Sequence, residues 1–277
     1  MKNGAPLVSY ASDLEQKRLT LAGRFVTEAR YLSDELIANL LQNQNQDQIP
    51  ELLTLVTRLG RQQCHALTAS SETGGISMTI PSELAKHWEG RWKTVYGTNT
   101  DFAALPIPKP PTHFKARLIV MHEKGNSSEL LYRANEKLMA GTCNHWKFSG
   151  STSLDEAVPK HNVTGTFGCW VADDDEAPFG KLGGVNVNTR TVRSLAPFGL
   201  RTTTLPVRLV LGADVFLENA SKKLLDRAVV TMCAESETAD GGVPRVDFGD
   251  GGVKVDGWSL GHACDFVRFR PTVYLPS

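Results

Sequence analysis

The 277-residue sequence lacks a net charge, since 30 lysines and arginines balance 30 aspartates and glutamates. No global field therefore draws the chain to a polyanion such as nucleic acid or to an anionic membrane, although neutrality does not exclude a local basic stripe. Neutrality also leaves little repulsion between copies of the chain, which favours self-association.

Cysteine is sparse and widely spaced. The five cysteines form no C-x-x-C pair: Cys64, Cys143, Cys169, Cys233 and Cys264. Such spacing predicts free thiols in a reducing compartment. The N-terminus has no apolar core of signal-peptide length, and no run approaches the roughly 18 apolar residues that span a bilayer. We therefore expect a soluble protein of the cytoplasm or another intracellular space, without a membrane partner.

Several catalytic and binding signatures are missing. There is no G-x-x-x-x-G-K-[ST] phosphate loop, and no segment such as G-x-S-x-G or C-G-S-C-W surrounds Cys143 or Cys169. The acidic residues of 173–176 and of 247–256 do not follow the spacing that places oxygen ligands around one Ca²⁺ ion. These absences argue against a P-loop nucleotidase, a cysteine nucleophile of a known family and an EF-hand.

The N-terminal third has helical periodicity. Leucines and other apolar residues recur three, four and seven apart over residues 14–40, and Pro50 is placed to begin a second helix. The two segments predict a helical hairpin. Pro81 begins a third helix with Leu84, Trp88 and Trp92 on one face, which we interpret as a core stripe. We predict a helical region at 1–100 and a proline-rich connector at 101–112.

Residues 113–277 are predicted to form a β-rich α+β domain, mainly antiparallel. Strand-like runs alternate with glycine-rich turns, and DFGDGGVKVD has the residues of a β-hairpin. The runs LPVRLVLGADVFL and DFVRFRPTVYL are interpreted as further strands, and 126–139 as a helix. The predicted fold class is α+β, with an N-terminal helical hairpin region followed by this domain.

Two short Cys/His pairs are the candidate metal ligands: Cys143 with His145, and His262 with Cys264. Zinc takes four such ligands tetrahedrally, but the C-x₂-C and H-x₃-H spacings of known zinc modules are missing. We predict no metal and no cofactor, and retain these four residues as the candidates.

A third set of residues follows the order Arg133, then Ser151-Thr152-Ser153, then Glu235-x-Glu237. This order resembles the R…S-T-S…E-x-E pattern of arginine-type ADP-ribosyltransferases. The resemblance implies that Arg133 binds a phosphate of NAD, that Ser151 supports the nicotinamide pocket, and that Glu235 and Glu237 act at the ribosyl centre. The planar guanidinium of arginine suits phosphate because it donates two parallel hydrogen bonds.

Arginines also suggest a nucleic-acid interface. The candidate residues are Arg58, Arg61, Arg190, Arg193, Arg268 and Arg270. Alternation along one final strand places Arg268 and Arg270 on the same face. A basic face with aromatic neighbours is typical of surfaces that follow a phosphate backbone.

No complete catalytic set emerges from these patterns. We expect a non-enzymatic structural or assembly subunit that associates with itself, with other proteins or within a nucleoprotein complex, as a coat-like component does. The alternative is an NAD-dependent enzyme of the ADP-ribosyltransferase kind.

Overall fold

The computed structural model describes residues 77–111, 114–148, 153–182, 185–194, 196, 201–218, 224–249 and 251–275. All of them lie in the compact unit Ser70–Ser277. The predicted helical hairpin falls outside the described residues.

Five α-helices are described: α1 (Ser82–Tyr96), α2 (Ser128–Leu138), α3 (Leu154–Ala157), α4 (Thr189–Ser194) and α5 (Leu205–Glu218). The strands from β1 to β8 are Ser77–Thr79, Pro106–Pro108, Ala116–Met121, Asn144–Trp146, Lys160–His161, Phe167–Ala172, Lys181–Leu182 and Val185–Asn186. The strands from β9 to β15 are Arg201–Thr202, Val230–Met232, Ser236–Glu237, Val243–Gly249, Gly252–Trp258, Val267–Arg268 and Pro271–Val273.

The strands form one five-stranded sheet, ordered β14-β10-β12-β13-β4, and one four-stranded sheet, ordered β3-β6-β15-β9. Three two-stranded sheets, β1-β2, β11-β5 and β7-β8, complete the set among the described residues. Only the β10–β14 and β13–β4 ladders of these sheets are parallel. The mixed α+β class is thus confirmed. No helix within the described ranges has both the length and the apolarity to cross a membrane.

Helix α1 forms where the sequence predicted the third helix. It begins after Pro81 and ends at Gly97, which takes a left-handed conformation with φ of 65°. Trp88 and Trp92 of the predicted stripe are buried in the core and Leu84 is partly buried, and the Trp92 indole donates a hydrogen bond of 2.8 Å to the Val120 carbonyl on β3. The helix is therefore packed into the same core as the strands.

Helix α2 and the β12–β13 hairpin also form where they were predicted. The Ser127 hydroxyl accepts a hydrogen bond from the Leu130 amide and so caps α2. The hairpin turn includes Gly251, whose φ of 79° is a conformation that glycine adopts without a steric penalty.

The prediction of a strand at LPVRLVLGADVFL is wrong, because residues 205–218 form α5. This helix is buried on almost every side, and its apolar residues therefore do not form a stripe along one face. The residues at the start of α5 indicate a helix N-terminus, although the hydrophobic pattern does not indicate a helix. The Thr204 hydroxyl accepts a hydrogen bond from the Val207 amide, and Pro206 lies in the first turn.

The prediction of one continuous strand at DFVRFRPTVYL is also wrong. Residues 267–268 form β14 of the five-stranded sheet, whereas 271–273 form β15 of the four-stranded sheet. The chain changes sheets at Arg270, whose side chain is buried. Arg268 and Arg270 therefore do not share the face of a single strand.

Gly168 allows close packing between β2 and β6. A Cβ atom at this position would lie 2.4 Å from Cγ2 of Ile107, a buried residue of β2. We expect Gly168→Ala to lower the free energy of unfolding by about 1–3 kcal/mol through overpacking. The matched change Gly90→Ala in α1, with no atom within 4 Å of the new Cβ, should raise it by about 0.5–1 kcal/mol. Urea unfolding curves measure the free energy of unfolding of both variants. Equal changes in the two variants would contradict the packing argument.

Candidate functional site

A cleft of about 350 Å³ lies between α1, β3 and α5. Its charged lining residues are Glu83, His87, Arg117, Asp214 and Glu218. Two tryptophans and two leucines supply the apolar lining: Trp88, Trp170, Leu84 and Leu118. The cleft is the most obvious candidate for a ligand site among the described residues.

The buried carboxylate of Asp214 is the centre of the charges in this cleft. Its Oδ1 accepts a hydrogen bond of 2.8 Å from Nε of Arg91, and its Oδ2 accepts one of 2.8 Å from Nη1 of Arg117. Nε2 of His87 lies 3.3 Å from the same Oδ1. Residues four apart lie on one face of a helix, which brings His87 and Arg91 together on α1 and Asp214 and Glu218 together on α5.

Arg117 also binds the carboxylates of Glu218 and Asp173. Burial alone would lower the pKa of the Arg117 guanidinium, but the hydrogen bonds to Asp173, Glu218 and Asp214 outweigh burial and raise it. Arg117 is therefore a permanent cation at the junction of β3 and α5.

His87, Asp214 and Glu218 also have the geometry of metal ligands. One ligand atom from each lies within 4.8 Å of the others, and no other such group of three occurs among the described residues. However, both oxygens of Asp214 already bind arginines, and the carboxylates of Asp173, Asp214 and Glu218 are matched by Lys115, Arg91 and Arg117. A divalent cation would face two guanidiniums without excess negative charge to hold it. The cluster is better explained as an ion-pair network that joins α1, β3 and α5.

A second charged cluster surrounds the fully buried Asp226. Its carboxylate accepts hydrogen bonds from Arg208 on α5 at 2.9 Å, from Arg270 at 2.6 Å, and from the Thr231 hydroxyl. Burial alone would raise the pKa of Asp226, but the two guanidiniums outweigh burial and lower it. The carboxylate is therefore charged and fully engaged inside the protein.

A serine–histidine pair lies between β5 and β11. Nδ1 of His161 is 2.8 Å from Oγ of Ser236, and Nε2 is 3.3 Å from Oγ of Ser128. A hydroxyl beside an imidazole is the first requirement of a serine nucleophile. Both hydroxyls are buried, however, and Ser236 also accepts a hydrogen bond from the Leu205 amide that helps to fix α5. This pair is a structural link and not an accessible nucleophile.

The residues of the transferase pattern have partners of their own. Arg133 is on α2 and forms ion pairs of 2.8 Å with Glu129 and with Glu136. Glu235 pairs with Arg201 at 2.7 Å, and Glu237 pairs with Lys160 at 2.8 Å. Ser151 lies outside the described residues.

The two Cys/His pairs differ in the burial and the contacts of their histidines. The His145 ring packs edge-on against Tyr132 of α2, with centroids 5.7 Å apart, and its Nε2 atom is buried. By contrast, Nε2 of His262 lies 3.6 Å from Sγ of Cys264 on a partly exposed loop. Among the described residues, the two pairs do not form a group that could share one ion.

The candidate nucleic-acid arginines are dispersed. Arg190 is exposed at the start of α4, whereas Arg193 donates hydrogen bonds to the carbonyls of Ala234 and Ser236. Arg268 donates to the carbonyl of its neighbour in β14, and Arg270 is fully buried against Asp226. Arg58 and Arg61 lie outside the described residues. Arg270 is thus unavailable to a phosphate in this fold.

The clusters around Asp214, Asp226 and His161 were not predicted from the sequence. One signal was present: Arg208 and Asp214 are the only charged residues in the apolar run 205–217. A charge inside such a run requires a buried partner. The identity of that partner was not visible, because the residues that pair are far apart in the chain.

Comparison of the chain with protein families, with curated proteins and with solved structures finds no match.

The ion-pair network of the cleft predicts a strong effect of one substitution. Asp214→Asn leaves the guanidiniums of Arg91 and Arg117 beside a neutral group, and we expect it to lower the free energy of unfolding by about 2–3 kcal/mol. Glu218→Gln is the control, because its side chain is more exposed and should matter by less than about 1 kcal/mol. Urea unfolding of both variants measures the difference. Equal losses would show that Asp214 is not the centre of the network.

Burial of His161 predicts a pH dependence of stability. Burial lowers the pKa of this imidazole from 6.5 to about 4, although Asp155 partly opposes the change. The unfolded chain therefore takes up a proton near pH 6.5, while the folded protein does so only near pH 4. The free energy of unfolding should decrease as the pH falls through this interval.

His161→Asn removes this titration and should flatten the pH dependence in the same interval. Urea unfolding is measured at a series of pH values for the wild type and for the variant. The difference between the two proteins gives the contribution of His161 to the pH dependence, apart from that of the other six histidines. Parallel curves for the two proteins would contradict the assignment.

Proposed function

We propose that the protein is a non-enzymatic assembly subunit that associates through the edges of its β-sheets. The supporting observation is the position of its exposed hydrophobic side chains. Phe266, Trp146 and Met78 are 47%, 39% and 37% exposed, and they are the large hydrophobic residues with high exposure among those described. All three lie on an edge strand or directly beside one.

The exposed hydrophobic residues lie at sheet edges, where another protein chain could cover them. Trp146 is on β4 and Phe266 directly precedes β14, and these two strands are the opposite edges of the five-stranded sheet. Met78 is on β1, which pairs only with β2 among the described strands. The backbone groups of Val267 and Phe269 that face away from β10 are already bonded to Cys264, Arg268 and Phe179, so contact at the β14 edge depends on side chains. Buried aromatic side chains are common at the energetic centre of protein interfaces. The combination favours contact with another protein chain.

The polar residues support a structural role. In the described part of the chain, the charged clusters around Asp214 and Asp226 are closed by internal partners. Cys169 and Cys233 are buried, and burial raises the pKa of the Cys169 thiol above its usual range, so it is a poor nucleophile. No contact of the described residues favours the transferase alternative, since Arg133 is already held by two glutamates.

The same proposal includes a reducing, cytoplasmic compartment. The four described cysteines are free thiols, which is typical of such a compartment. It also includes partners of two kinds, namely copies of this chain or other protein subunits. A nucleoprotein form of the assembly is distinguished by nuclease treatment and by salt dependence.

The proposal predicts a solution mass above that of one chain at micromolar concentration. Trp146→Glu and Phe266→Glu place a charge at the two edges, and we expect each to reduce the assembled fraction at least several-fold. Ser82→Glu is the control, because it adds the same charge at an exposed helix start and should leave the mass unchanged. Analytical ultracentrifugation, with and without nuclease, measures all four proteins. A wild-type monomer at every concentration, with no protein partner, would contradict the proposal.

A further inference from the structure

A small cavity lies between helices α2 and α5 and the strand β4. It offers about 20 Å³ to the centre of a water-sized sphere, and its polar lining includes Asn135, His145 and Arg208. Apolar side chains such as Met139 and Leu209 line much of the rest. One water molecule needs about 10–15 Å³ by the same measure. The cavity is therefore large enough for one water molecule and too small for an organic ligand.

The side-chain oxygen of Asn135 is a buried acceptor in this cavity. Asn135 is 4% exposed, and its Nδ2 donates a hydrogen bond of 2.9 Å to the Leu209 carbonyl. Because only the amide nitrogen can donate to a carbonyl, this bond fixes the orientation of the side chain. Oδ1 is then the acceptor, and it has no hydrogen-bond partner among the described residues. Burial of an acceptor without a partner is costly, so Oδ1 requires a donor.

The imidazole of His145 provides a second buried acceptor. Burial lowers the pKa of this ring, while the smaller effects of Glu136 and of a backbone hydrogen bond with Cys143 raise the pKa. A hydrogen bond that raises the pKa of an imidazole is one that the ring donates. Nε2 has no partner in the part of the chain that the structure describes, so Nδ1 is the nitrogen that donates to the Cys143 carbonyl. The lone pair of Nε2 therefore requires a donor as well.

Two acceptors cannot bond each other, so Asn135 and His145 need either a group with two donor hydrogens or a cation. Arg208 argues against a cation. Its Nη1 lies 2.9 Å from the position that a Cβ atom on Gly212 would take, and Gly212 also lines the cavity. A second positive charge beside this guanidinium would be repelled. A water molecule has two O–H donors for the two acceptors, and its own lone pair can accept from Nη1.

We propose that the cavity binds one water molecule, which donates to Oδ1 of Asn135 and to Nε2 of His145 and accepts from Nη1 of Arg208. Buried waters typically make about three hydrogen bonds to groups that otherwise lack partners. The site goes beyond the proposed assembly function and does not require it.

The water links the edge strand β4 to two helices. This strand has three residues and pairs only with β13 among the described strands. Asn135 is on α2 and Arg208 is on α5, whereas His145 is the central residue of β4. The bridge therefore holds the strand that presents the exposed side chain of Trp146, the next residue along the chain.

The test is direct observation of the water in the full chain. A crystal structure at atomic resolution should show one density peak about 2.7–3.2 Å from Oδ1 of Asn135 and from Nε2 of His145. In solution, NMR should show magnetisation transfer from a long-lived water to the ring protons of His145. Both measurements use the wild type and do not depend on a variant that folds.

Two variants test the contacts of the water. Asn135→Leu removes one acceptor, and we expect it to shorten the residence time of the water about tenfold, through the loss of one hydrogen bond. Met139→Leu is the matched control, because it changes another lining residue but conserves the volume and both acceptors. Magnetic relaxation dispersion of the water signal measures the residence time, which should be that of the wild type in the control.

Three results would overturn the proposal. The first is the absence of both the density peak and the magnetisation transfer. The second is equal residence times in Asn135→Leu and Met139→Leu, which would place the long-lived water elsewhere. The third is a peak about 2.0–2.2 Å from Nε2, or Zn²⁺ binding by the chelator-treated protein that His145→Phe abolishes, either of which would assign the cavity to a cation.

Discussion

The buried carboxylate of Asp226 is the interaction on which the rest of the fold depends. It receives the guanidiniums of Arg208 and Arg270, and neither partner is appreciably exposed. Desolvating these charges costs several kcal/mol per ion, so the arrangement is stable only while every partner is in place. Asp226 also accepts a hydrogen bond of 2.8 Å from the Ala177 amide. Three separate segments of the chain, at Ala177, Arg208 and Arg270, are thus fixed to one side chain.

This constraint explains the position of α5 and of the sheet junction. Arg208 is in the first turns of α5, so its bond to Asp226 sets the depth at which the helix lies in the core. Arg270 lies where the chain leaves β14 for β15, and it also donates hydrogen bonds to the carbonyls of Ala172 and Asp174. The acidic segment after β6 therefore packs against a buried cation instead of forming a solvent-exposed ion site. The ion pairs of Asp214 fix the position of α5 in the same way at the opposite end of the helix.

The elements that the sequence predicted correctly are those with a local cause. A capping serine and an apolar stripe define α2, and a glycine-rich turn between alternating residues defines the β12–β13 hairpin. Helix α5 was missed because burial on nearly all sides removes the periodicity by which a helix is recognised. The continuous strand at 265–275 was wrong because the chain changes sheets at Arg270, whose side chain binds Asp226, 44 residues away. Partners at such separation leave no pattern in a single sequence.

The same distinction applies to the candidate sites. The contact between His262 and Cys264 is local, and the short spacing of the two residues indicated it. The Asp214 network joins residues more than 90 apart, such as Arg117 and Asp214, and no spacing could have indicated it. Arg270 was assigned to a surface because an alternating strand pattern says which residues share a face, but not which face is buried.

The proposed assembly rests on a contrast between the interior of this protein and its sheet edges. In the interior, polar side chains such as Ser236 beside His161 and Asp226 beside Arg208 are enclosed with their partners. The reverse holds at the sheet edges, where the aromatic side chains of Trp146 and Phe266 are exposed. Water is a poor partner for this aromatic surface, and burial against another protein chain would remove the surface from water.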